Sequence, residues 1–192
     1  MTYRINETFY TIQGEGRRAG EASVFLRFAH CNLACSFCDT EFASYVEMDL
    51  GEVVSTCTAH APWSWVVLTG GEPMMQVDEP LVNALREAGH KLAVETNGMF
   101  ETPRSWFDWI TVSPKTAEHT LKVRHADEVK YVRHAGQGLP QPSIDATHLY
   151  LSPVWGKAGT VDRAALETCV ALVKKHPWWK LSTQTHKWWE VR

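Results

Sequence analysis

Trp65-Val66-Val67-Leu68 runs without a break into Thr69-Gly70-Gly71-Glu72-Pro73, and that join sets the fold. A short apolar run rich in β-branched and aromatic residues, closed by glycine and proline, reads as a strand that empties into a loop. The join recurs along the chain. Lys91–Val94 leads into Glu95-Thr96-Asn97-Gly98, Trp109–Val112 into Ser113-Pro114-Lys115, and His148–Leu151 into Ser152-Pro153. Ala22–Phe28 and Glu128–Val132 read as two further strands, and His134–Asp145 as a surface loop. Leu81, Leu85 and Ala88 recur at helical spacing within Leu81–Ala88. So do Ala165, Leu166, Val170, Leu172 and Val173 within Arg163–Lys175, which Pro177 stops. Strands alternating with helices predict an α/β fold of parallel βαβ units. The loops after parallel strands share one face of such a fold, and that face carries the chemistry. One Gly or Pro there would be turn punctuation. Four such loops predict a shared site.

The 192 residues, 44% hydrophobic and 21% charged, suffice for one core, and the expectation is a single domain over 1–192. Nineteen basic against 22 acidic residues, a net charge of −3, argue against a nucleic-acid-gripping surface. The start MTYRINETFY lacks a basic segment followed by an apolar one, and no apolar run approaches the ~20 residues of a membrane span. A soluble, cytoplasmic protein with no membrane or nucleic-acid partner is expected. The pairs Trp178-Trp179 and Trp188-Trp189 read as packing or as a dimer contact.

Three of five cysteines crowd into Cys31-Asn32-Leu33-Ala34-Cys35-Ser36-Phe37-Cys38, directly after a strand. Disulfides closing such short loops are poor staples, so C-x3-C-x2-C reads as a metal motif in a reducing compartment. Structural zinc needs four closed ligands; His30 is a candidate fourth, whereas Cys57 and Cys169 lie in helix-like stretches. Three thiolates on a 4Fe–4S cluster leave one iron open to an outside ligand. From spacing alone both readings stand.

The motif C-x3-C-x-(aromatic)-C, followed after the next strand by Gly70-Gly71-Glu72, resembles the radical S-adenosylmethionine superfamily. More narrowly, Phe9-Tyr10-Thr11-Ile12-Gln13-Gly14-Glu15-Gly16 and Cys38-Asp39-Thr40 resemble the 7-carboxy-7-deazaguanine synthases. Thr69–Pro73, Glu95–Gly98, Ser113–Lys115 and Gln184-Thr185-His186-Lys187 extend the resemblance over nearly the whole chain. It implies a truncated, partial (β/α)6 barrel, a homodimer, and an external electron donor. It also implies one 4Fe–4S cluster per chain, S-adenosylmethionine and magnesium. The implied reaction is a lyase step of deazapurine and queuosine biosynthesis, converting 6-carboxy-5,6,7,8-tetrahydropterin to 7-carboxy-7-deazaguanine with loss of ammonia. A 5′-deoxyadenosyl radical takes hydrogen from C6 of the pterin, and the cofactor carries the hard chemistry.

By the same resemblance, Cys31, Cys35 and Cys38 hold the cluster and Thr40 binds magnesium. S-adenosylmethionine falls to Phe37, Cys38, Asp39, Gly71, Glu72, Ser113, Pro114, Lys115, Ser152, Pro153, Val154 and Trp155. The pterin falls to Ile12, Gln13, Gly14, Arg27, Thr69 and Arg192. Residue chemistry adds physical content. Gly70 and Gly71 allow close approach of backbone to a ligand, and a threonine hydroxyl is a hard donor suited to magnesium, or else a helix cap. Arg27 on a strand needs an anionic partner, either a ligand or a glutamate. Ser152 stands where the family more often has glutamine, and Glu190-Val191-Arg192 is more charged than the apolar ending expected. Two competing readings are a glycyl-radical activating enzyme and a non-catalytic zinc module.

Overall fold

The computed structural model describes residues 2–38, 40–155 and 160–191. Its elements are β1 (Thr2–Ile12), β2 (Ala22–Phe28), β3 (Val46–Asp49), α1 (Leu50–His60), β4 (Trp65–Gly70), α2 (Glu79–Glu87) and β5 (Lys91–Thr96). They continue with β6 (Trp109–Val112), β7 (His125–Arg133), β8 (Asp145–Pro153), α3 (Arg163–Lys175), β9 (Trp179–Leu181) and α4 (Thr185–Trp188). All the strands join one sheet in the order β3-β1-β2-β4-β5-β6-β7-β8-β9. From β2 to β9 the neighbours are parallel, while β1 pairs antiparallel with both β2 and β3. No helix among the described residues is long and apolar enough to cross a membrane.

The α/β class is as expected, but the sheet is open rather than a set of six βα repeats. Among the described residues, helices cross only between β2 and β4, between β4 and β5, and between β8 and β9. A single 3-10 turn serves β5 to β6 and another β6 to β7, and the crossover from β7 to β8 is the loop 134–144. Loop residues replace the missing helices: Phe107, Leu121, Val123 and Ile144 are all buried in the main core. Each of the three crossover helices has an acidic N-cap, whereas α4 begins at Gln184 without a side-chain cap. Asp49 and Glu52 make a capping box on α1, Asp78 accepts from Leu81 N–H at 3.0 Å, and Asp162 accepts from Ala165 N–H at 2.9 Å.

Side-chain alternation divides the sheet into two faces. Val24, Leu26, Phe28, Val66, Leu68, Leu92, Val94 and Ile110 pack under the helices, each Leu contributing roughly 1.5–3 kcal/mol by burial. The opposite face carries a small apolar cluster, Phe9, Phe25, Val67 and Ala93, flanked by Trp65 and Trp109. Towards the carboxyl ends of the strands that second face turns polar. It presents Arg27, Thr69, Glu95, Thr111, Glu128, Lys130 and Ser152, several of them direct cross-strand neighbours.

Strand β1 reaches this face through an irregularity. Its register against β2 shifts between Ile5 and Glu7. Tyr3 and Ile5 belong to the helix-side core, yet Phe9, of the same parity, belongs to the other cluster. The one-residue bulge at Asn6 thus exchanges the faces of the strand, and Glu7, Phe9 and Thr11 turn toward the polar side.

Candidate active site

The chain leaves β2 through His30, whose φ of 68° is left-handed and whose N–H donates to Phe42 O at 2.8 Å. The His30 ring stands edge-on to Tyr45 at 5.2 Å, so the fourth zinc ligand considered for it is turned to an aromatic contact. Beyond it Cys31, Cys35 and Cys38 are free thiols, the first two half-buried and the third exposed, and all line one cleft. Cys38 N–H donates to Cys35 O at 3.1 Å, and Leu33 N–H to Cys31 Sγ at 3.4 Å. Cys57 and Cys169 are wholly buried in the helix-side core, where burial pushes their thiols up to about 12 and about 11. They are inert small hydrophobes.

The loop after β4 is bolted to the thiol loop through its backbone. Gly71 N–H donates to Phe28 O at 3.0 Å and Glu72 N–H to His30 O at 2.9 Å. A Cβ on Gly71 would lie 1.8 Å from His30 O, and Gly70 holds φ +123°. The glycines therefore serve first a close approach of backbone to backbone.

Glu72 corrects an expectation. Its carboxylate is fully buried and accepts from Thr96 Oγ1 at 2.6 Å, Asn97 N–H at 2.7 Å and Met74 N–H at 3.1 Å. Burial pushes its pKa up against those hydrogen bonds. It braces the loops after β4 and β5 from behind and does not line the cleft. Pro114 is likewise buried behind it.

Of the remaining residues expected at the cofactor, Phe37, Cys38, Gly71, Ser113, Lys115, Ser152, Pro153, Val154 and Trp155 line the same cleft as the thiols. Phe37 packs edge-on to His134 at 5.4 Å. The Lys115 ammonium donates to Ser113 Oγ and O, and burial followed by the charge of Lys130 pushes it down to about 8. Asp39 and Arg192 lie outside the described residues.

A second pocket adjoins the first. Ile12, Gln13, Gly14 and Arg27 line it together with Phe9, Thr11 and Phe25 from β1 and β2, and His186 and Lys187 from α4. Thr40 and Thr69 line both cavities, as do Glu15, Glu95 and Gln184. Arg27 Nε stands 2.8 Å from Glu7 Oε1, Nη1 lies 3.5 Å from Thr40 Oγ1, and the guanidinium sits 5.7 Å over the Phe9 ring. The glutamate partner foreseen for Arg27 is present, but it is partly exposed rather than buried in the core.

A curated relative from Bacteroides thetaiotaomicron, a 7-carboxy-7-deazaguanine synthase, is 40% identical over 193 residues and covers 100% of both chains. This chain belongs to the 7-carboxy-7-deazaguanine synthase family. Synthases from Burkholderia multivorans (37% identical, 100% of both chains) and Nitratidesulfovibrio vulgaris (38%, 98% of both) agree. No family model matches the chain. In three dimensions it resembles the crystal structure of QueE from Escherichia coli, with a TM-score of 0.74 over 96% of this chain and 94% of that one. At 23% identity that likeness speaks to the fold.

In this synthase Glu15, Glu95, Lys130 and Gln184, which sequence reasoning left unassigned, join the expected Gln13 and Thr69 around the cavities. Gln13 Nε2 donates to Glu95 Oε1 at 2.9 Å, and Thr69 Oγ1 donates to Glu95 Oε2 at 3.0 Å. Gln184 Nε2 donates to Glu15 Oε1 at 2.8 Å, and Lys130 is ion-paired with the other Glu15 oxygen. Thr111 Oγ1 and Arg17 N–H donate to Glu128 at 3.0 and 2.8 Å. One signal lay in Glu128-Val129-Lys130-Tyr131-Val132, where two charged residues alternate with apolar ones and so share one strand face.

Proposed function

We propose that this synthase holds a 4Fe–4S cluster and S-adenosylmethionine in the first cleft and 6-carboxy-5,6,7,8-tetrahydropterin in the second pocket, releasing 7-carboxy-7-deazaguanine and ammonia. The observation that carries the reading is the shared wall: Glu15, Thr40, Thr69, Glu95 and Gln184 line both cavities. Cofactor and substrate bound on either side would meet with only that wall to place them. The product is the substrate less ammonia, so the overall step is redox-neutral.

The donor set fits a cluster. Three free thiols on one loop line one cleft. Thiolates of a cluster each bind a different iron and need not converge on a point. Among the described residues no three His, Cys, Asp or Glu side chains are grouped as ligands of a single metal ion. Cys31, Cys35 and Cys38 would hold the cluster, which when bound supplies the electron for reductive cleavage of S-adenosylmethionine.

The protein's own groups bind and orient. Arg27 offers a two-pronged donor to the substrate carboxylate. Gln13, the Gly14 backbone, and the carboxylates of Glu15 and Glu95 face the pocket with acceptors for the ring N–H groups. Phe37, Lys115 and the Ser113 and Ser152 hydroxyls take the adenosine side. Thr40, at the junction, is the magnesium ligand in this reading, with substrate oxygens and water completing the shell. In this reading the enzyme works in a reducing cytoplasm with an external electron donor, and the free thiols support it. Exposed Trp178, Trp188 and Trp189 favour a homodimer, whereas Trp179 is buried against Tyr131.

Anaerobic reconstitution tests this reading. About four irons per chain, with the pterin consumed and ammonia released on adding reductant and S-adenosylmethionine, is the expected result. Cluster assembly and cofactor cleavage without consumption of the pterin would favour the activating-enzyme reading. Alanine at Cys31, Cys35 or Cys38 abolishes cofactor cleavage, and alanine at Cys57 or Cys169 spares it.

A further inference from the structure

Lys130 lies midway along β7, 8% exposed, on the face that holds both cavities. Four chain segments meet at it. Its ammonium is paired with Glu15 Oε2 from the turn after β1, and its carbonyl accepts from Ser113 Oγ at 2.9 Å. Glu15 in turn accepts from Gln184 Nε2 of the C-terminal segment, and Glu15 N–H donates to Gln13 Oε1 at 3.1 Å. Lys130 lines the first cleft but not the second, whereas Glu15 lines both.

We infer that Lys130 is a positioning residue that holds Glu15 as an anion in the wall of the second pocket, so that pocket can accept N–H donors from the pterin ring. The inference rests on the proposed reading of that pocket as the pterin site. Its physics does not.

A buried carboxylate without a counter-charge takes up a proton. Burial drives the Glu15 pKa upward, and the Lys130 charge, with hydrogen bonds from Lys130 and Gln184, reverses this to about 2. The other charged groups around the pair replace Lys130 poorly. Glu95 on β5 and Glu128 on β7 both face its ammonium and are acidic. Lys115, from the loop after β6, is itself pushed down, and Arg18 is committed to Glu21 and stacked 3.8 Å over Trp65. His186 on α4 adds the smallest of the stabilising influences on Glu15. Removal of Lys130 therefore leaves Glu15 protonated near neutrality. A protonated acid presents an O–H where the ring presents N–H, and an acceptor is lost.

The test uses reconstituted, unreduced holoenzyme so that binding is read without turnover. Four proteins are compared: wild type, Lys130→Met, Lys130→Arg, and the double variant Glu15→Gln with Lys130→Met. Carboxypterin and S-adenosylmethionine affinities are titrated from pH 6.5 to 9, and infrared spectra are recorded for the protonated-carboxyl band. Lys130→Met is expected to bind pterin about thirtyfold more weakly at pH 6.5, the loss of one charge-assisted hydrogen bond, and to recover as pH rises and Glu15 ionises. Its infrared spectrum gains a carboxyl band at pH 6.5 that wild type and the double variant lack. Lys130→Arg keeps the charge and stays within about fivefold of wild type at every pH. Affinity for S-adenosylmethionine, whose cleft Lys130 and Glu15 also line, changes by less than the pterin affinity and without the recovery at high pH.

A pH-independent loss in Lys130→Met, or no carboxyl band, overturns the inference and leaves Lys130 a packing residue. A carboxyl band in Lys130→Met alongside a wild type that binds no pterin supports the role of Lys130 and sinks the pterin reading. If Lys130→Met does not fold, the double variant, relieved of the buried acid, is expected to fold. Unfolding of both overturns the inference.

Discussion

The side-chain amide of Asn97 donates to Asn32 Oδ1 at 2.8 Å and so ties the loop after β5 to the loop that carries the thiols. Asn97 is itself held, its N–H by the buried Glu72 carboxylate at 2.7 Å and its Oδ1 by Met99 N–H at 3.0 Å. The position of Cys31, next to Asn32, thus depends on two other strand ends. Support behind a metal ligand is commonly worth about 10–100-fold. Asn97→Ala is expected to lower turnover by about that factor and to shift the cluster's reduction midpoint, with the melting temperature changed by only a few degrees. An unchanged midpoint would show that Asn97 serves its own loop alone.

Arg27 faces Glu7 and the second pocket together. Arg27→Ala is expected to weaken pterin binding by roughly 2–5 kcal/mol and leave S-adenosylmethionine binding unchanged. Arg27→Lys restores it incompletely, because a point charge replaces a planar fork. Equilibrium titration in the unreduced enzyme checks both. A loss of folding stability with intact pterin affinity would make Arg27 a partner of Glu7 and nothing more.

Thr40 is the proposed magnesium ligand at the junction of the cavities. Its role should appear in turnover and not in cluster assembly. Thr40→Ala is expected to abolish the response of turnover to added magnesium, and Thr40→Ser to keep most of it, since the hydroxyl is retained. Equal stimulation of wild type and Thr40→Ala would remove the residue from the metal site.

Lys115 is expected to make the fold less stable near neutrality. Burial pushes its ammonium from 10.5 down to about 8, so the unfolded chain binds this proton more tightly than the folded one. Stability is therefore lost as pH falls from the unfolded value through the folded one, and the full penalty, roughly 3 kcal/mol, is present at pH 7. Lys115→Met, measured before cluster loading, is expected to be more stable than wild type at pH 7, with the gap closing towards pH 10.5. It should bind S-adenosylmethionine poorly. Urea unfolding across that range checks the sign. A Lys115→Met protein less stable at pH 7 would show that its contacts with Ser113 outweigh its desolvation.

Much of the parallel sheet was legible because its strands repeat one local pattern. Ala22–Phe28, Trp109–Val112 and Arg163–Lys175 have the predicted bounds, while β4, β5, β7 and β8 extend beyond the apolar runs. β4, β5 and β8 do so at their carboxyl ends because residues there are polar groups such as Thr69, Glu95 and Ser152, and β7 and β8 also begin three residues earlier, through 125–127 and 145–147. β1 was missed because the bulge at Asn6 breaks its period of two, and β3 and β9 are too short to carry a pattern. Within the candidate site, the motif residues fall around two adjoining cavities. The pairing of Lys130 with Glu15 was not legible, because partners 115 residues apart leave no mark on local spacing. Glu72 misled for a related reason: a motif names a carboxylate but not the direction in which it points.

The coil that stands in for helices over β6 and β7 gives the molecule an uneven stiffness. Phe107, Leu121, Val123 and Ile144 each plug the outer wall singly, without the cooperative ladder of a helix behind them. With no helix ladder to break there, this flank is expected to open at a lower free energy than the helix-backed strands β2, β4 and β5. The turn 113–115, which proposedly meets the adenosine, hangs from that flank. The loop that carries the thiols leaves the helix-backed flank at the end of β2, so the two sides of the cleft are expected to differ in how readily they yield to an arriving cofactor.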